Sequence, residues 1–581
     1  MVDQIVQGEK YVWTLPSYNQ QVVADIAATH NLSFPVAQTL CTRGFVSKDA
    51  IDEFLFGSFE RDVVHPSQMK DVEKAVDRLL HAIEKKESIL VFGDYDVDGV
   101  TSSAMMMICL LPLGAKINFF LPHRVRDGYG LSSKIVDRAG RNGYKVIVTV
   151  DNGITAFEPA RNALKFGIDL IITDHHRPHD ELPEAFAIIN PNQKDCTYPF
   201  KELAGVGVTF KLLSLLYERK GLCLPPKVFE LLLLGTIADV VPLNGENRFW
   251  VRYGLSFINK IESAAFKILK KNGKLAKPKI SATDIGFSIA PQINALGRLE
   301  DPRQAVQFLI GTDSGQLQEV GKVLFELNEA RKLVERSIIA EIEEQISDKK
   351  IDLSTENIIM AASKNWPPGV IGLVASRFVS KYGRPVLLFH IGDNGLAKGS
   401  CRSISAFNIF NALHDAQHLL KQFGGHSLAA GLSLTVDNLA KLKDYLEKLI
   451  NQQLTPFDLQ QKIKLDAQMS LADVNKKLYT DMEHLAPFGN KNEQPTFYVD
   501  NVVMVQKPVL LKGAHVKCGV FADGVIKPVI FFNRPELYDI LLNYGQESFW
   551  LAARVTENHW NGRVTIELTG TDVAQQKEGI K

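Results

Sequence analysis

From Glu87 onward the chain alternates short apolar, β-branched runs with stretches of helical spacing. The apolar runs include SILVFG, KINFFLP, KVIVTVD and DLIITDHH, and the stretches between them predict helices near Gly99–Leu111, Ser132–Asn142 and Ala156–Phe166. Near-continuous apolar strands that alternate with helices are typical of a parallel sheet with both faces covered. The pattern predicts an α/β domain over residues 71–265, preceded by a helical segment over residues 1–70.

A long amphipathic pattern follows over Ser314–Ser347, within a connecting region of residues 266–350. A helix of this length extends roughly 50 Å at about 1.5 Å per residue, which is enough to connect two domains. A smaller α/β unit is predicted over residues 351–453. Four β-rich runs, PTFYVDNVVMV, KPVIFF, FWLAARV and RVTIELTG, then fit a small five-stranded barrel over residues 454–581.

Composition and charge narrow the function classes only slightly. With 581 residues the chain is long enough for about three or four domains. Lys+Arg and Asp+Glu both number 66, so any nucleic-acid surface must be local. The six cysteines are widely spaced, which argues against a zinc site or a disulfide framework and fits a reducing cytoplasm. The segment MVDQIVQGEK lacks signal-peptide architecture, and the longest uncharged run, residues 99–115, is too short for a membrane span, so we expect no membrane partner.

The stretch VFGDYDVDGVTS places Asp94, Asp96 and Asp98 at alternate positions before Gly99. This spacing matches the start of a calcium-binding EF-hand loop. That class of site also needs a helix on either side and a glutamate at the twelfth loop position, which here is Met105, and an apolar strand leads in. The calcium-loop interpretation is therefore excluded. Three like charges at a strand end still need a cation.

Further acidic and imidazole side chains occur later in the same domain. Asp151 ends VIVTVD, Asp174 precedes His175 and His176 in the next run, and Asp239 lies within the apolar run LLLLGTIADVVPL. The carboxyl ends of parallel strands share one edge of a sheet, so we expect these side chains to converge there. Each has a simpler explanation when taken alone: Asp151 as a helix cap, the histidines as solvated residues, and Asp239 as a helix-end residue. Because all of these segments are expected to end at the same edge of the sheet, a shared ligand-binding site is favoured over separate explanations.

The donor types suggest the metal. Carboxylate oxygens with one or two imidazoles suit Mn²⁺ or Mg²⁺ rather than zinc thiolate chemistry. Two such ions about 3.5–4 Å apart activate water and clamp the oxygens of a phosphoryl group during displacement. The sequence thus predicts two divalent metal ions.

Four motifs, GDYDVDGVTS, VTVDNGI, TDHH and IADVVPL, resemble those of the DHH phosphoesterase superfamily. FGGHSLAAGLS resembles the glycine-rich motif of the associated DHHA1 substrate-binding domain. LPHRVRDGYGLS, INALGRL, GSCRS and LAPFGNKNEQPTF are similar to segments of the RecJ family of bacterial single-strand-specific exonucleases. The resemblance extends from about residue 70 into the C-terminal barrel. It implies a parallel-sheet DHH domain and a smaller α/β DHHA1 domain joined by the long helix around a central cleft, followed by an OB-like β-barrel that binds nucleic acid.

The resemblance also implies roles within the acidic cluster. The metal ligands that it implies are Asp96, Asp98, Asp151, His175 and Asp239, with Asp94 as a further candidate. His176 would contact the scissile phosphate, and Asp174 would orient the two histidines. The segment NWPPGVIG has Pro367 where the family usually carries a histidine, so the role of that imidazole does not transfer to this chain.

Polar residues outside the cluster are candidates for phosphate or DNA contacts. Arg124 follows a strand at the same sheet edge, with a solvated surface arginine as the alternative. Asn294 and Arg298 are predicted to flank a turn before the long helix, where Arg298 has the alternative of pairing with Glu300 or Asp301.

Two glycine-containing segments supply further candidates. Ser400 and Arg402 are predicted in a loop where the backbone can approach a ligand closely. Gly424, Gly425 and His426 are predicted to expose N–H groups at a helix start, which attracts anions. The alternative there is a tight turn. The family resemblance favours phosphate binding for these five residues and for Arg124, Asn294 and Arg298.

The predicted barrel has a locally basic composition. Between Gln506 and Arg534 the basic residues are Lys507, Lys512, Lys517, Lys527 and Arg534, against the single acidic Asp523, and His515, Phe521 and Phe531 are interleaved with them. Basic residues that follow a backbone, together with rings that stack on bases, describe sequence-tolerant single-strand binding. Lys512 and Lys517 are the DNA-binding candidates, and some of the aromatic residues must fill the barrel core.

The leading hypothesis is a metal-dependent exonuclease that degrades single-stranded DNA in the 5′ to 3′ direction to mononucleotides, with the polarity implied by the resemblance alone. The alternatives are a phosphodiesterase of the same superfamily acting on short oligonucleotides or cyclic dinucleotides, and a non-catalytic nucleic-acid-binding scaffold. Family membership implies recombination and repair in the cytoplasm, with a single-strand-binding protein and a helicase as partners of a monomer. We also expect Ser400, Arg402 and His426 to face the metal centre across the cleft and to grip a terminal phosphate.

Overall fold

The computed structural model describes residues 4–123, 127–128, 130–560 and 563–575, without the side chains of Leu299, His559, Trp560 and Arg563. The chain forms two compact units. The parallel-sheet unit comprises residues 57–336 and 487–493, and the barrel unit comprises residues 1–56, 337–486 and 494–581.

The strands, in chain order, are β1 Ile5–Gln7, β2 Val12–Thr14, β3 Ser88–Gly93, β4 Lys116–Phe120, β5 Val146–Val150, β6 Asp169–Thr173, β7 Ala187–Ile189, β8 Ile359–Ser363, β9 Val386–Ile391, β10 Leu396–Arg402, β11 Gln422–His426, β12 Ala429–Thr435, β13 Lys462–Lys464, β14 Ala467–Gln468, β15 Phe497–Leu511, β16 His515–Ala522, β17 Val525–Phe531, β18 Phe549–Trp560 and β19 Arg563–Gln575.

The α-helices, in chain order, are α1 Gln20–His30, α2 Phe34–Thr42, α3 Lys48–Leu55, α4 Phe59–Asp62, α5 Val72–Glu84, α6 Val97–Leu110, α7 Ser133–Arg141, α8 Phe157–Lys165, α9 Gly205–Arg219, α10 Lys227–Ala238, α11 Gly245–Ile258, α12 Ala264–Asn272, α13 Ala282–Asp284, α14 Ala290–Leu299, α15 Arg303–Ile310, α16 Ser314–Ser347, α17 Pro368–Tyr382, α18 Ile409–Asp415, α19 Leu439–Gln453, α20 Lys476–Glu483 and α21 Leu537–Tyr544. A π-helical turn, Ile285–Ile289, joins α13 to α14.

The core of the parallel-sheet unit is a five-stranded sheet in the order β4-β3-β5-β6-β7. All four pairings are parallel. Alternate residues of each strand enter two separate cores: Val91 and Val148 on one face, and Leu90 and Ile147 on the other. Because helices cover both faces, the strands are apolar throughout, and the predicted parallel sheet is confirmed.

The barrel unit ends in a closed barrel of five long strands, in the order β15-β16-β17-β19-β18, with β18 returning to β15. β17 and β19 pair in parallel, and α21 lies in the chain between β17 and β18. This arrangement is that of an OB-fold barrel, as predicted. A second sheet of the unit has the order β11-β12-β10-β9-β8, and it is mixed because only β8 and β9 pair in parallel.

The prediction of a purely helical segment over residues 1–70 is wrong in part. β1 and β2 form an antiparallel hairpin, and β13, far away in the chain, extends it in parallel. Each strand has three residues. A strand that short carries no recognisable periodicity, and it forms here because distant residues pair with it.

Asp572 fastens this hairpin to the last barrel strand and is fully buried. Its carboxylate accepts hydrogen bonds from the backbone N–H groups of Lys10 (3.2 Å) and Tyr11 (3.0 Å) and from the indole N–H of Trp13 (3.0 Å). The guanidinium of Arg534 also donates to it, at 3.2 Å. A buried carboxylate with this many donors is satisfied, so the hairpin and β19 form one packed region.

The helix predicted over Ser314–Ser347 is present with these bounds. Leu317 and Leu324 are buried in the core of the parallel-sheet unit, and Ile338 and Ile342 are buried later along the helix. Its residues after Arg336 belong to the barrel unit, so one continuous helix carries the chain from one unit to the other.

Among the described residues, every helix is too short or too polar to cross a bilayer. The six cysteines are free thiols.

Candidate metal centre

The first acidic motif lies where β3 gives way to α6. Asp96 is the N-cap of α6, and its carboxylate accepts hydrogen bonds from the N–H groups of Asp98 (3.0 Å) and Gly99 (3.2 Å). A Cβ on Gly99 would stand 2.5 Å from the backbone nitrogen of Asp94, so this turn requires glycine. Asp98 is 1% exposed and points back into the unit.

The N-terminus of α9 holds Asp98 in place. Gly205 N–H donates to one carboxylate oxygen of Asp98 at 2.6 Å, and Val206 N–H donates to the other at 2.7 Å. A helix N-terminus favours a negative charge, which partly offsets the cost of burying this carboxylate. Sequence reasoning missed this contact. The only signal for it is the run AGVGV, whose small residues permit close approach.

Asp151 follows β5 in a left-handed conformation, with φ +62°. Its N–H donates to Thr173 O at 3.0 Å, so the residue stays on the ladder with β6 while its side chain turns to the sheet edge. A Cβ on Gly205 would meet the Asp151 Cβ at 2.6 Å. Asp151 is 2% exposed, and aspartate tolerates this backbone region better than most residues.

Asp174 organises the histidine pair that follows β6. One of its oxygens accepts hydrogen bonds from His175 N–H (2.7 Å), His176 N–H (3.0 Å) and His176 Nδ1 (2.7 Å), and the other accepts from Ile154 N–H (2.9 Å). Burial is the largest single influence and opposes ionisation of this carboxyl group, but the hydrogen bonds from His176 and the positive charge beside it together lower the pKa of Asp174. Burial alone would lower the pKa of His176, whereas the hydrogen bond to Asp174 and the negative charges of the surrounding aspartates together raise it to about 9, so this imidazole is cationic at neutral pH.

Two asparagines that sequence reasoning missed hold the backbone of the same pair. Asn190 Nδ2 donates to His176 O at 2.9 Å, and Asn192 Nδ2 donates to His175 O at 2.6 Å. Both follow β7, the next strand along the chain. The signal is the polar pair in INPN at the end of an apolar run.

Asp239 reaches the centre from a helix and not from a strand. It follows α10, and its N–H bonds to Gly235 O at 3.0 Å. The prediction that every ligand follows a strand is therefore wrong for this residue, because LLLLGTIA belongs to the buried helix α10, which packs against α6, α9 and α11. One Asp239 oxygen nevertheless lies 3.6 Å from His175 Nε2.

The structure brings the six predicted ligands together with His176. Three groups have donor atoms within 4.8 Å of one another. They are Asp94, Asp96 and Asp151; Asp98, His175 and Asp239; and Asp151, His175 and His176. Shared members make the three groups one continuous cluster at the carboxyl edge of the sheet, and the predicted convergence is confirmed.

Burial and the crowding of like charges shift the pKa values of the clustered side chains. Burial, together with repulsion from Asp239, raises the pKa of Asp98 to about 7. Burial and repulsion from Asp96 raise the pKa of Asp239 to about 7, and the pKa of Asp151 lies well above its usual value for the same reasons. Burial, and then the neighbouring His176, lower the pKa of His175, which keeps this ring neutral and able to act as a ligand.

These residues fit divalent metal ions. Oxygen donors dominate, and imidazole nitrogen completes the set, as Mn²⁺ and Mg²⁺ prefer. Asp151 Oδ1 and His175 Nε2 lie 3.2 Å apart, yet neither of these buried atoms makes a hydrogen bond to a described residue. Buried polar atoms in native proteins are satisfied with few exceptions, and a coordinated cation satisfies both atoms at once.

Helix α14 packs closely against the loop that carries Asp94 and Asp96. A Cβ on Gly297, in α14, would stand 2.3 Å from the carbonyl oxygen of Tyr95, the residue between the first two aspartates. Asn294 and Arg298 lie one turn apart on α14, so the prediction that they flank a turn is wrong. Apolar residues of INALGRL pack in the unit core and continue the helix. Arg124 lies outside the described residues.

Ser400 and Arg402 are on a strand and not in a loop. Both belong to β10, and the guanidinium of Arg402 donates to Ser400 Oγ at 3.1 Å and to Cys401 O at 2.7 Å. A Cβ on Gly372, in α17, would meet Ser400 Oγ at 2.8 Å. The loop prediction is wrong because pairing with β9 and β12 on both sides extends the segment.

The predicted helix start at Gly424, Gly425 and His426 is also wrong. These residues form β11, which makes a hairpin with β12. Gly425 has φ +146°, and a Cβ there would stand 2.3 Å from Ala429 O, so glycine permits this close pairing. The segment that follows, where the helix was expected to begin, is instead β12, a strand beside β10.

The register nevertheless gathers four of these candidates. Ser400 pairs with Gly431, which pairs with Gly424, and Arg402 pairs with Ala429, which pairs with His426. The two rows lie two residues apart, so their side chains point to the same face of the sheet. Gly424 and Gly431 leave a backbone floor without side chains between them. We call this surface, formed by Ser400, Arg402, Gly424 and His426, the glycine-floor face.

Pro367 occupies the N-cap of α17 and Pro368 its first turn. Proline suits the first turn of a helix because the N–H that it lacks has no partner within the helix. The preceding Trp366 is buried, and its indole N–H donates to Glu341 at 2.8 Å. Pro367 therefore has a structural role in this chain at the start of α17.

The barrel separates the basic and aromatic candidates. Lys512 lies in the turn between β15 and β16 with φ +51°, and Lys517 is exposed on β16. Phe521 is exposed on the same strand, whereas Phe531 is fully buried in the core. Arg534, one of the basic residues of the sequence pattern, is buried against Asp572 and does not belong to an outer surface.

Three family models match the chain. The DHH family N-terminal domain matches residues 88–236, the DHHA1 domain residues 355–452, and the RecJ OB domain residues 465–572. The chain is 34% identical to the single-stranded-DNA-specific exonuclease RecJ of Bacillus subtilis over 98% of this chain and 71% of that protein. It is 36% identical to RecJ of Escherichia coli over 86% of this chain and 90% of that protein.

Solved structures agree with these matches. RecJ of Thermus thermophilus in complex with Mn²⁺ superposes with a TM-score of 0.82 at 27% identity, over 97% of this chain and 80% of that chain. A second structure, of exonuclease RecJ bound to manganese, has a TM-score of 0.58 at 32% identity, over 67% of this chain and 96% of that chain.

Proposed function

The chain belongs to the RecJ family of single-stranded-DNA-specific exonucleases, and we propose that its acidic cluster is the centre that hydrolyses the DNA phosphodiester. The observation that carries this proposal is the convergence of five aspartates and two histidines within one buried cluster. Burial, together with like charges at this density, raises the pKa of Asp98 and Asp239 to about 7, a cost that divalent cations would reduce.

The residues proposed to hold two Mn²⁺ or Mg²⁺ ions are Asp94, Asp96, Asp98, Asp151, His175 and Asp239. Such ions, when bound, supply a nucleophilic water and polarise the phosphate oxygens. The relatives of known structure with manganese support this choice of metal. The chain's own contribution is to fix the donors beforehand, through the bonds to Asp96 and Asp98 described above.

His176 is proposed to contact the scissile phosphate. Its side chain is 39% exposed, unlike that of His175, and its pKa of about 9 makes it a cation at neutral pH. A cationic donor beside phosphate stabilises the charge that develops during hydrolysis. Asp174 is proposed as its positioning residue, since it accepts the Nδ1 proton and leaves Nε2 directed outward.

The glycine-floor face, with Gly425, is proposed to bind the phosphate at the end of the strand. Arg402 offers a planar donor suited to phosphate, and the absence of side chains at Gly424 lets the DNA backbone approach. Ser400 and His426 flank that position. Capture of the 5′ end by this face would account for exonuclease action in the 5′ to 3′ direction with mononucleotide products.

The outer surface of the barrel is proposed to carry the strand that follows. Lys512 and Lys517 supply positive charge, and the exposed ring of Phe521 supplies a stacking surface that does not discriminate between bases. Asn294 and Arg298, on the helix that packs against Tyr95, are proposed as further DNA contacts. Arg124 is proposed as a phosphate contact from the sequence alone.

The cellular role follows from family membership. We propose recombination and repair in the cytoplasm as the setting, a monomer as the active form, and a single-strand-binding protein and a helicase as partners. The helicase would supply the single strand that the enzyme consumes.

The test uses 5′-labelled and 3′-labelled single-stranded oligonucleotides with Mn²⁺, with and without a chelator. We expect metal-dependent release of a labelled mononucleotide from the 5′-labelled strand, and progressive shortening of the 3′-labelled one. Release that begins at the 3′ end would overturn the polarity. A preference for dinucleotides or cyclic dinucleotides over long strands would instead favour the small-substrate phosphodiesterase. Full activity of Asp151→Asn would show that the cluster is not the active centre.

A further inference from the structure

The backbone is strained at the residue that follows Asp239. Val240 has φ +60°, and its side chain is exposed, so no burial of the isopropyl group offsets the strain. A β-branched residue in the left-handed region is a strong outlier, and such strain persists only where surrounding contacts impose it. The conformation reverses the chain at the end of α10, and it leaves the Asp239 carboxylate beside His175 while Leu243 returns to the core.

A segment from much later in the chain imposes this conformation. Asn490 Nδ2 donates to Val240 O at 2.7 Å, and Leu243 N–H donates to Asn490 O at 2.8 Å. The two bonds span the turn, with one contact at each end. Residues 487–493, which carry Asn490, are packed as part of the parallel-sheet unit although their neighbours in the chain belong to the barrel unit.

The segment is itself rigid, as a clamp must be. Gly489 N–H donates to Asn492 O at 2.9 Å, Asn492 N–H donates back to Gly489 O at 3.1 Å, and Asn492 Nδ2 donates to Pro487 O at 2.8 Å. A Cβ on Gly489 would stand 2.6 Å from Leu243 Cδ1, so glycine lets the segment approach this closely.

We infer that Asn490 is a positioning residue for the metal ligand Asp239: through Val240 O it holds the strained turn that directs the Asp239 carboxylate into the cluster. The inference rests on the proposed metal centre. It also gives a structural role to the segment PFGNKN, which contains no proposed catalytic residue. Asn490 does not touch the cluster itself.

The test compares Asn490→Ala with a matched control, Asn142→Ala. Asn142 also donates an exposed side-chain hydrogen bond to a backbone carbonyl in the same unit, that of Arg138, at 2.9 Å, but far from the turn in the sequence. Mn²⁺ affinity is measured by calorimetry on the full chain. We expect about fivefold weaker Mn²⁺ binding and lower kcat with unchanged KM for DNA in Asn490→Ala, and wild-type values in the control.

A second background makes the test specific for the turn. Glycine adopts the left-handed conformation without a Cβ penalty, so Val240→Gly should no longer need Asn490. We expect Asn490→Ala to cost less than about twofold in Mn²⁺ affinity when Val240 is already glycine. An equal loss in both backgrounds, a wild-type affinity in Asn490→Ala, or an equal loss in Asn142→Ala would each overturn the inference. Absence of saturable Mn²⁺ binding in the wild-type chain would instead defeat the proposed metal centre on which it rests.

Discussion

The metal centre and the glycine-floor face are both proposed to act on one phosphodiester chain, yet they are built in opposite ways. At the centre, Asp98 and Asp151 are buried at 1% and 2% exposure, and their pKa values are raised. On the face, Arg402 is half-buried on a regular strand, and glycines remove side chains around it. The centre concentrates like charges whose repulsion a bound cation relieves. The face carries one half-buried guanidinium beside α17, and its Gly424 and His426 are exposed.

This difference predicts how strongly substitutions in each region should reduce activity or ligand binding. A buried carboxylate cluster depends on every member, because each carries part of the charge that holds a cation. A flat face with one guanidinium loses affinity gradually. The predictions below test this contrast, beginning with the largest effect.

Asp151→Asn should reduce hydrolysis by at least about 10³-fold, because it removes a shared ligand from two of the three donor groups. Asparagine tolerates the left-handed backbone at this position, so the change isolates the charge. The metal-free protein should be no less stable in urea unfolding, since repulsion is relieved. Asp180→Asn, on an exposed carboxylate of the same unit, is the control. A destabilised but active Asp151→Asn would reverse the contrast.

Mn²⁺ binding should weaken by up to about 100-fold per pH unit well below pH 7, because Asp98 and Asp239, each with a pKa of about 7, must both lose a proton before they bind the ion. The folding stability of the metal-free protein changes with pH in the opposite direction. The folded metal-free protein binds more protons than the unfolded chain between pH about 4 and about 7, so these groups lower its stability as pH rises through that window. Calorimetry at several pH values and urea titrations without metal measure the two slopes. A pH-independent Mn²⁺ affinity would show that the raised pKa values of Asp98 and Asp239 do not control metal binding at the centre.

Arg402→Ala should slow turnover about tenfold and reduce the preference for 5′-phosphorylated over circular single strands, while Mn²⁺ affinity stays at the wild-type value. The guanidinium contacts Ser400 and Cys401, and the metal donors lie in the other unit. Lys448→Ala, on an exposed face of α19, controls for loss of positive charge. Reduced Mn²⁺ affinity in Arg402→Ala would mean that the two regions are not separate in function.

Phe521→Ala should raise KM for long single strands about two- to fivefold and leave that for short ones unchanged, because an exposed stacking surface on the barrel is lost. Fluorescence anisotropy with oligonucleotides of two lengths measures the effect. The buried Phe531 is no control, since its removal would disturb the barrel core. Equal losses at both lengths would place Phe521 outside the strand's path.

The sequence predicted the centre far better than the face, and the reason is geometric. Apolar strands in a parallel sheet must deliver the residues that follow them, Asp94 and Asp151 among them, to one edge. Glycine-rich segments carry no such constraint. Gly424 and Gly425 fit a helix start, a turn or a strand locally, and only pairing with β12 decides among them. Asp239 was placed in the site for the wrong structural reason, because a buried helix and a buried strand are equally apolar.

Contacts between distant segments were beyond prediction for a related reason. The N–H groups of Gly205 and Val206 that hold Asp98, and the clamp of Asn490 on Val240, join residues more than 100 positions apart. Local pattern does not report such pairs. The domain boundaries drawn from the sequence stay predictions, since the compact units divide the chain differently.

The hairpin that Asp572 fastens has a consequence for the order of events as the chain is made. Trp13 and Asp572 are separated by 559 residues, so Trp13 leaves the ribosome long before its partner exists. Closing a flexible loop of that length costs on the order of 5–6 kcal/mol of entropy, and folding of the intervening parts must shorten it first. The barrel therefore finishes last, and until then Trp13, fully buried in the finished molecule, remains exposed on a strand that pairs with β1 but whose other edge still lacks β13. Slow or interrupted synthesis leaves a chain that is open to wrong pairing at its beginning.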